Sequence, residues 1–127
     1  MKPPRFTSLM LIVVFALTGA ISSARASCGT QYATNPDTGN QEKVWAEHDG
    51  HDYEIKWAEK VNGQWQGEIF LTNNSTDDTC PHLAHDTAGS TGVVWREGNG
   101  SIYYIGRKDV SGTWTWQSAG SLVLRLA

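Results

Sequence analysis

Val94-Trp95-Arg96-Glu97-Gly98-Asn99-Gly100-Ser101-Ile102-Tyr103-Tyr104-Ile105 restates an earlier stretch of the chain, Val44-Trp45-Ala46-Glu47-His48-Asp49-Gly50-His51-Asp52-Tyr53-Glu54-Ile55. At an offset of 50 residues, Val44, Trp45, Glu47, Gly50, Tyr53 and Ile55 fall on Val94, Trp95, Glu97, Gly100, Tyr103 and Ile105. Past one deletion the match resumes, with Val61, Gly63 and Trp65 on Val110, Gly112 and Trp114. A fixed period near this length marks a chain built from stacked β units.

Working outward, the chain reads as short strands between turn residues. Asp49-Gly50 and Asn62-Gly63 are hairpin signals, because both dipeptides tolerate positive φ. Between them, Tyr53, Ile55 and Trp57 alternate with Glu54, Lys56 and Ala58, which gives one apolar face and one solvated face. The second unit repeats the order, turning at Gly98-Asn99-Gly100 and again at Ser111-Gly112. Leu122, Leu124 and Leu126 alternate through a closing strand. After the N-terminal segment no window shows a helical period. The expected fold is all-β, about eight strands in two four-stranded antiparallel units. Repeat one covers residues 28–79 and repeat two 80–127.

The N-terminus reads differently. Lys2 and Arg5 precede an apolar run over residues 9–21, and Ala24-Arg25-Ala26 places small residues where a signal peptidase reads. Residues 1–26 are expected to be a signal peptide, and the protein to be secreted or periplasmic. The run is short for a membrane span, which needs roughly 20 apolar residues. Loss of the segment removes Lys2, Arg5 and Arg25 but no acid. The net charge then moves from −3 to −6, with seven basic residues against thirteen acidic ones. No basic field remains to hold phosphates, which argues against nucleic acid or an anionic membrane as partner.

Cys28 and Cys80 are the two cysteines. An even count in an exported chain reads as a disulfide, here between equivalent corners of the two units. Closing a loop of about 50 residues should stabilise the fold by roughly 3–4 kcal/mol.

Leu71-Thr72-Asn73-Asn74, then Asp77-Asp78, Pro81, Leu83, Asp86, Gly89 and Val93-Val94-Trp95, resembles the inter-blade segment of sialidase-like (BNR or Asp-box type) β-propeller repeats. Asp109, Gly112, Thr113 and Trp114 resemble a degenerate Asp box, of which Gly63 and Trp65 keep the end. The resemblance implies propeller-blade-like units in two copies. It does not bring sialidase activity, because that chemistry needs an arginine cluster, and only Arg96, Arg107 and Arg125 follow the leader. Two blades cannot close a ring, since propellers typically have 4–8. Three arrangements stay open: copies that assemble into a ring, two units facing each other as a sandwich, or the remnant of a longer gene. The two-faced alternation around Trp57 favours a sandwich or an outward end blade.

Candidate sites follow from where the repeat breaks. Recurring aromatics (Trp45 with Trp95, Tyr53 with Tyr103, Trp65 with Trp114) are explained by a shared core. Trp57 stands opposite Arg107 in the alignment, and Trp116 has no aromatic counterpart, so these need another reason. Trp57, Glu97, Arg107 and Trp116 are the expected ligand-binding residues, since an aromatic face beside an Arg–Glu pair suits a sugar. All four histidines lie in His48-Asp49-Gly50-His51-Asp52 and His82-Leu83-Ala84-His85-Asp86, a metal-ligand vocabulary. His82 and His85 would point to opposite faces of a strand, whereas His48 and His51 sit around a turn and could chelate together; solvated loop histidines are the simpler reading, and no metal or cofactor is expected. Glu47 and Glu97 could be imagined as paired glycosidase carboxylates, but repeat symmetry already accounts for them. Asn73-Asn74-Ser75-Thr76 and Asn99-Gly100-Ser101 match glycosylation acceptors. The reading is an exported, non-enzymatic binding protein, lectin-like, with a glycan as ligand. The alternative is a secreted protein–protein module or enzyme inhibitor, with a glycan hydrolase behind both. Homo-oligomers are compatible with the ring arrangement.

Overall fold

The computed structural model describes residues 28–122. The expected leader, its cleavage point at Ala26, and Leu124, Arg125 and Leu126 lie outside them. Among the described residues the fold is all-β. Strands β1 (Gln31–Thr34), β2 (Gln41–His48), β3 (Tyr53–Val61) and β4 (Gln64–Phe70) form one antiparallel meander. Strands β5 (Asp78–His85), β6 (Thr91–Glu97), β7 (Ile102–Val110) and β8 (Thr113–Trp116) form a second, and β9 (Gly120–Leu122) pairs with β7 beyond β8. β9 makes the second sheet five-stranded, where four strands were expected. It occupies the same edge of β7 as β8, resumed after residues 117–119, with Ile102 opposite Leu122.

The turn dipeptides act as the sequence implies. Asn62 (φ 50°) and Gly63 (φ 79°) both take the left-handed conformation between β3 and β4, as do Ser111 and Gly112 between β7 and β8. These are the dihedral signs of two-residue hairpins that match strand twist.

The sheets pack face to face on one core. Val44, Ile55 and Trp57 come from the first sheet, and Val93, Trp95 and Ile105 from the second. Cys28 and Cys80 are bonded, with their Cα atoms 4.5 Å apart, so the start of the first unit is tied to β5. Leu71 and Leu83 pack on the margin of the same cluster.

Two bulges decide which side chains share a face. In β4 the register shifts opposite Trp57 and Glu59, and Gly67 sits there at φ 63°. Trp65 pairs with Lys60 and Phe70 with Lys56, so both rings point outward although they are an odd number of residues apart. In β5 the shift falls between Thr79 and His82, with Cys80 at φ 55°. Asp78 and His85 therefore both face the other sheet, opposite Glu97 and Thr91. His82 and His85 do lie on opposite faces, as their spacing requires.

The repeat is not a register. Val44 pairs with Trp57, whereas Val94 pairs with Tyr104. As a result Trp95 is a core residue, 3% exposed, while Trp45 lies on the outward face of the first sheet beside Lys56. Tyr53, expected inside by recurrence, is exposed. Glu54, expected on the solvated face, is fully buried beneath Thr72 and Asn74.

Candidate functional site

Three places concentrate polar or aromatic chemistry. The first is a buried carboxylate at the junction of the sheets. Glu42 on β2 is fully buried. Its neighbours come from both sheets because β2 faces β5, β6 and β7 across the core. Asn35 Nδ2 donates to its Oε2 at 3.1 Å, and Trp57 Nε1 donates to Oε1 at 2.7 Å. His85 Nε2 lies 2.5 Å from Oε2, and Thr91 Oγ1 stands 2.9 and 3.0 Å from the two oxygens. Arg107 Nη1 is 3.9 Å away. Burial alone would raise the Glu42 carboxyl, but His85, Asn35 and Trp57 together hold it below its ordinary value. Every lone pair has a partner, so this is a satisfied structural hub.

Trp57, Arg107 and Trp116 are brought together beside it. The Arg107 guanidinium lies 4.6 Å from the Trp57 ring centroid and 5.6 Å from that of Trp114. Trp57 and Trp116 meet edge to face at 5.3 Å. Arg107 also reaches Glu59 at 3.6 Å. Glu97 does not join them. It ends β6 at the opposite end from Thr91, the cross-strand partner of Arg107. There it accepts hydrogen bonds from Thr76 Oγ1 and Asn99 Nδ2, and its charge pushes the Tyr103 hydroxyl up. The carboxylates of Arg107 are Glu42 and Glu59 instead. Trp57 is 5% exposed, so it presents no free ring face for stacking.

The second place is the outward face of the first sheet, where recurring aromatics stand in a row. Lys43 Nζ lies 4.7 Å from the Trp45 ring and 4.5 Å from the Trp65 ring. Lys56 Nζ lies 5.4 Å from Trp45 and 5.0 Å from Phe70, and Lys60 Nζ 5.7 Å from Trp65. Tyr32 tilts against Trp65 at 6.0 Å. Lys56 is anchored by Glu47 at 2.7 Å and Glu68 at 3.3 Å, and the Glu47 contact raises its pKa. Tyr32 and Phe70 are among the most exposed large side chains. The recurrence of Trp45 and Trp65 points to the core, whereas the strand registers set both outward. The available signal was Lys43-x-Trp45 facing Lys56, which a strand-by-strand alternation count places outside.

The third place is the β2–β3 turn with the linker behind it. Asp49 Oδ1 accepts from His51 N and Asp52 N, which holds its carboxyl low. Asp77 Oδ1 accepts from Tyr53 N at 3.1 Å. Asp52 is pushed up by burial first, then by the charges of Glu54, Asp49 and Asp77. Nearby, Asp78 accepts from Trp95 Nε1 at 3.0 Å and from Asn74 Nδ2 at 2.7 Å, and its burial raises it despite these donors.

No helix among the described residues is long and apolar enough to cross a membrane. Compared with known proteins, the chain matches no family model, no curated protein and no solved structure.

Proposed function

We propose that the protein is an exported, non-enzymatic binding module that holds a carbohydrate chain on the outward face of its first sheet. The observation that supports this is the row of Tyr32, Trp65, Trp45 and Phe70 interleaved with Lys43, Lys56 and Lys60. Aromatic rings offer flat apolar platforms to the C–H faces of sugars. The ammonium groups supply hydrogen-bond donors for hydroxyl or carboxylate substituents between the platforms. The rings stand on strands paired into one sheet, which preorganises the platforms and lowers the ordering cost of binding. The disulfide fits an oxidising compartment, which supports export. On this reading Trp57, Arg107 and Trp116 support the sheet that carries the site rather than touch the ligand. The propeller-type kinship of the repeats belongs to the same proposal, with the outward face standing where a neighbouring blade would pack.

Glycan-array screening followed by calorimetric titration tests it. Trp45→Ala and Trp65→Ala should each weaken binding about tenfold, which is ~1.4 kcal/mol, with the melting temperature nearly kept. An array without hits, or unchanged binding in both variants, would contradict it. A protein partner is the second reading, favoured by Ile69 and Phe70, both exposed on the edge strand β4, one on each face. In that case binding would follow Ile69→Ala and Phe70→Ala more than Trp45→Ala.

A further inference from the structure

The turn between β2 and β3, with the start of β3, carries three acids in six residues, Asp49, Asp52 and Glu54. One carboxylate oxygen from each lies within 4.8 Å of those of the others. Acidic groups gather on surfaces without consequence, so proximity by itself decides nothing. The deciding residue is Asp52. It is only 9% exposed, and its Oδ1 is buried without a hydrogen-bond partner. The neighbouring acids are provided for. Asp49 Oδ1 accepts from His51 N and Asp52 N. Glu54 accepts from Thr72 Oγ1 and Asn74 N. Asp77 Oδ1 accepts from Tyr53 N. A buried carboxylate oxygen with no donor, set among like charges, is costly unless a positive group meets it.

We propose that Asp49, Asp52 and Glu54 form a divalent cation site that takes Ca²⁺. The donors are all carboxylate oxygens, the set that hard cations select. The oxygens fit within a calcium shell, in which ligands at 2.3–2.6 Å place opposite oxygens about 4.6–5.2 Å apart. Zinc would turn to the imidazoles of the same loop, but His48 Nδ1 already accepts from Gly50 N at 3.1 Å. Glu54 is bonded to Thr72 and Asn74, so the ion would pin the hairpin to the linker that leads into β5. Three carboxylates place the affinity in the range of extracellular modules, a Kd of about 10⁻⁴–10⁻³ M. The site is separate from the aromatic face and does not depend on the carbohydrate reading.

The test is a calorimetric titration of the disulfide-bonded protein with CaCl₂, MgCl₂ and ZnCl₂, with melting temperatures in parallel. Ca²⁺ should bind and raise the melting temperature by several degrees, and Asp52→Asn should weaken binding at least tenfold. Tb³⁺ provides a reading that needs no variant. Excitation of Tyr53 at the start of β3 should sensitise Tb³⁺ emission, and Ca²⁺ should quench it by displacement. No heat up to about 10 mM Ca²⁺ together with no sensitised emission would overturn the proposal. So would a Ca²⁺ response unchanged in Asp52→Asn, or zinc binding in preference to Ca²⁺ that is lost in His51→Ala.

Discussion

Glu42 shows how a charged side chain becomes a fixed point of the fold. Its oxygens are met by groups from both sheets, so removing it strands Trp57 Nε1, Asn35 and His85 in the interior. Glu42→Ala should cost about 3–5 kcal/mol, measurable by urea unfolding. The carboxyl is held below its ordinary value of 4.5. Its contribution is thus fully present above that value and is lost as pH falls through the lowered one. The melting temperature should drop on going to roughly pH 3, and Glu42→Gln should shrink that drop. Asp78 acts with the opposite sign, since burial raises it above 3.8 and protonation relieves it. Trp57 is judged on the same scale. With 5% exposure it is a core residue, and Trp57→Ala should cost about 3–5 kcal/mol, lowering the melting temperature by more than about 10 °C. A change of a degree or two would instead return Trp57 to the surface role expected from sequence. That expectation was half legible. The break in the repeat did single out Trp57, Arg107 and Trp116, which do cluster. The alternation already sets Trp57 with Ile55 on the buried face; what was not legible is that β7 and β8 bring the half-buried Arg107 and Trp116 against it.

Among the elements, hairpins were the most readable. Asn62-Gly63 and Ser111-Gly112 name their own turns, since few residue pairs accept two positive φ values. The bulges were not readable, because an extra residue in a strand leaves no compositional mark. Gly67 is the one that matters for the proposed face. At φ 63° it sets Trp65 and Phe70 on the same side. Gly67→Ala should strain that conformation and weaken carbohydrate binding, and amide chemical shifts in β4 would report the altered register. Gly89 has a different constraint. It sits at φ 84°, and a Cβ there would collide with the Asp37 and Asn35 side chains. Asn35 Nδ2 also donates to its carbonyl at 2.8 Å. Gly89→Ala should therefore destabilise by at least about 1 kcal/mol through the contact between the sheets, read as a lowered urea midpoint. The ninth strand carries no sequence signal for its pairing, because it is a short continuation of the edge that β8 begins.

For the molecule as a whole, two sheets related by sequence share one core while leaving one aromatic face outward. The repeat announced the two sheets, and the disulfide that ties them was legible from the even cysteine count and the expected leader. Alternation set Ile55 and Trp57 inward and Lys56 outward, but which recurring tryptophans go inward was not legible, since the two central hairpins pair in different registers and a match of words cannot reveal that. The central claim is that Trp57 and Trp95 belong to the core while Trp45 and Trp65 meet ligand. It is tested most directly by the six tryptophan indole N–H signals in a ¹H–¹⁵N spectrum, followed first in D₂O and then during titration with a glycan identified on the array. Trp57 and Trp95, bonded to Glu42 and Asp78, should exchange slowly and stay in place, while Trp45 and Trp65 shift with added glycan. Fast exchange at Trp57 and Trp95, or shifts at Trp57 and Trp116 with Trp45 and Trp65 unmoved, would contradict the account.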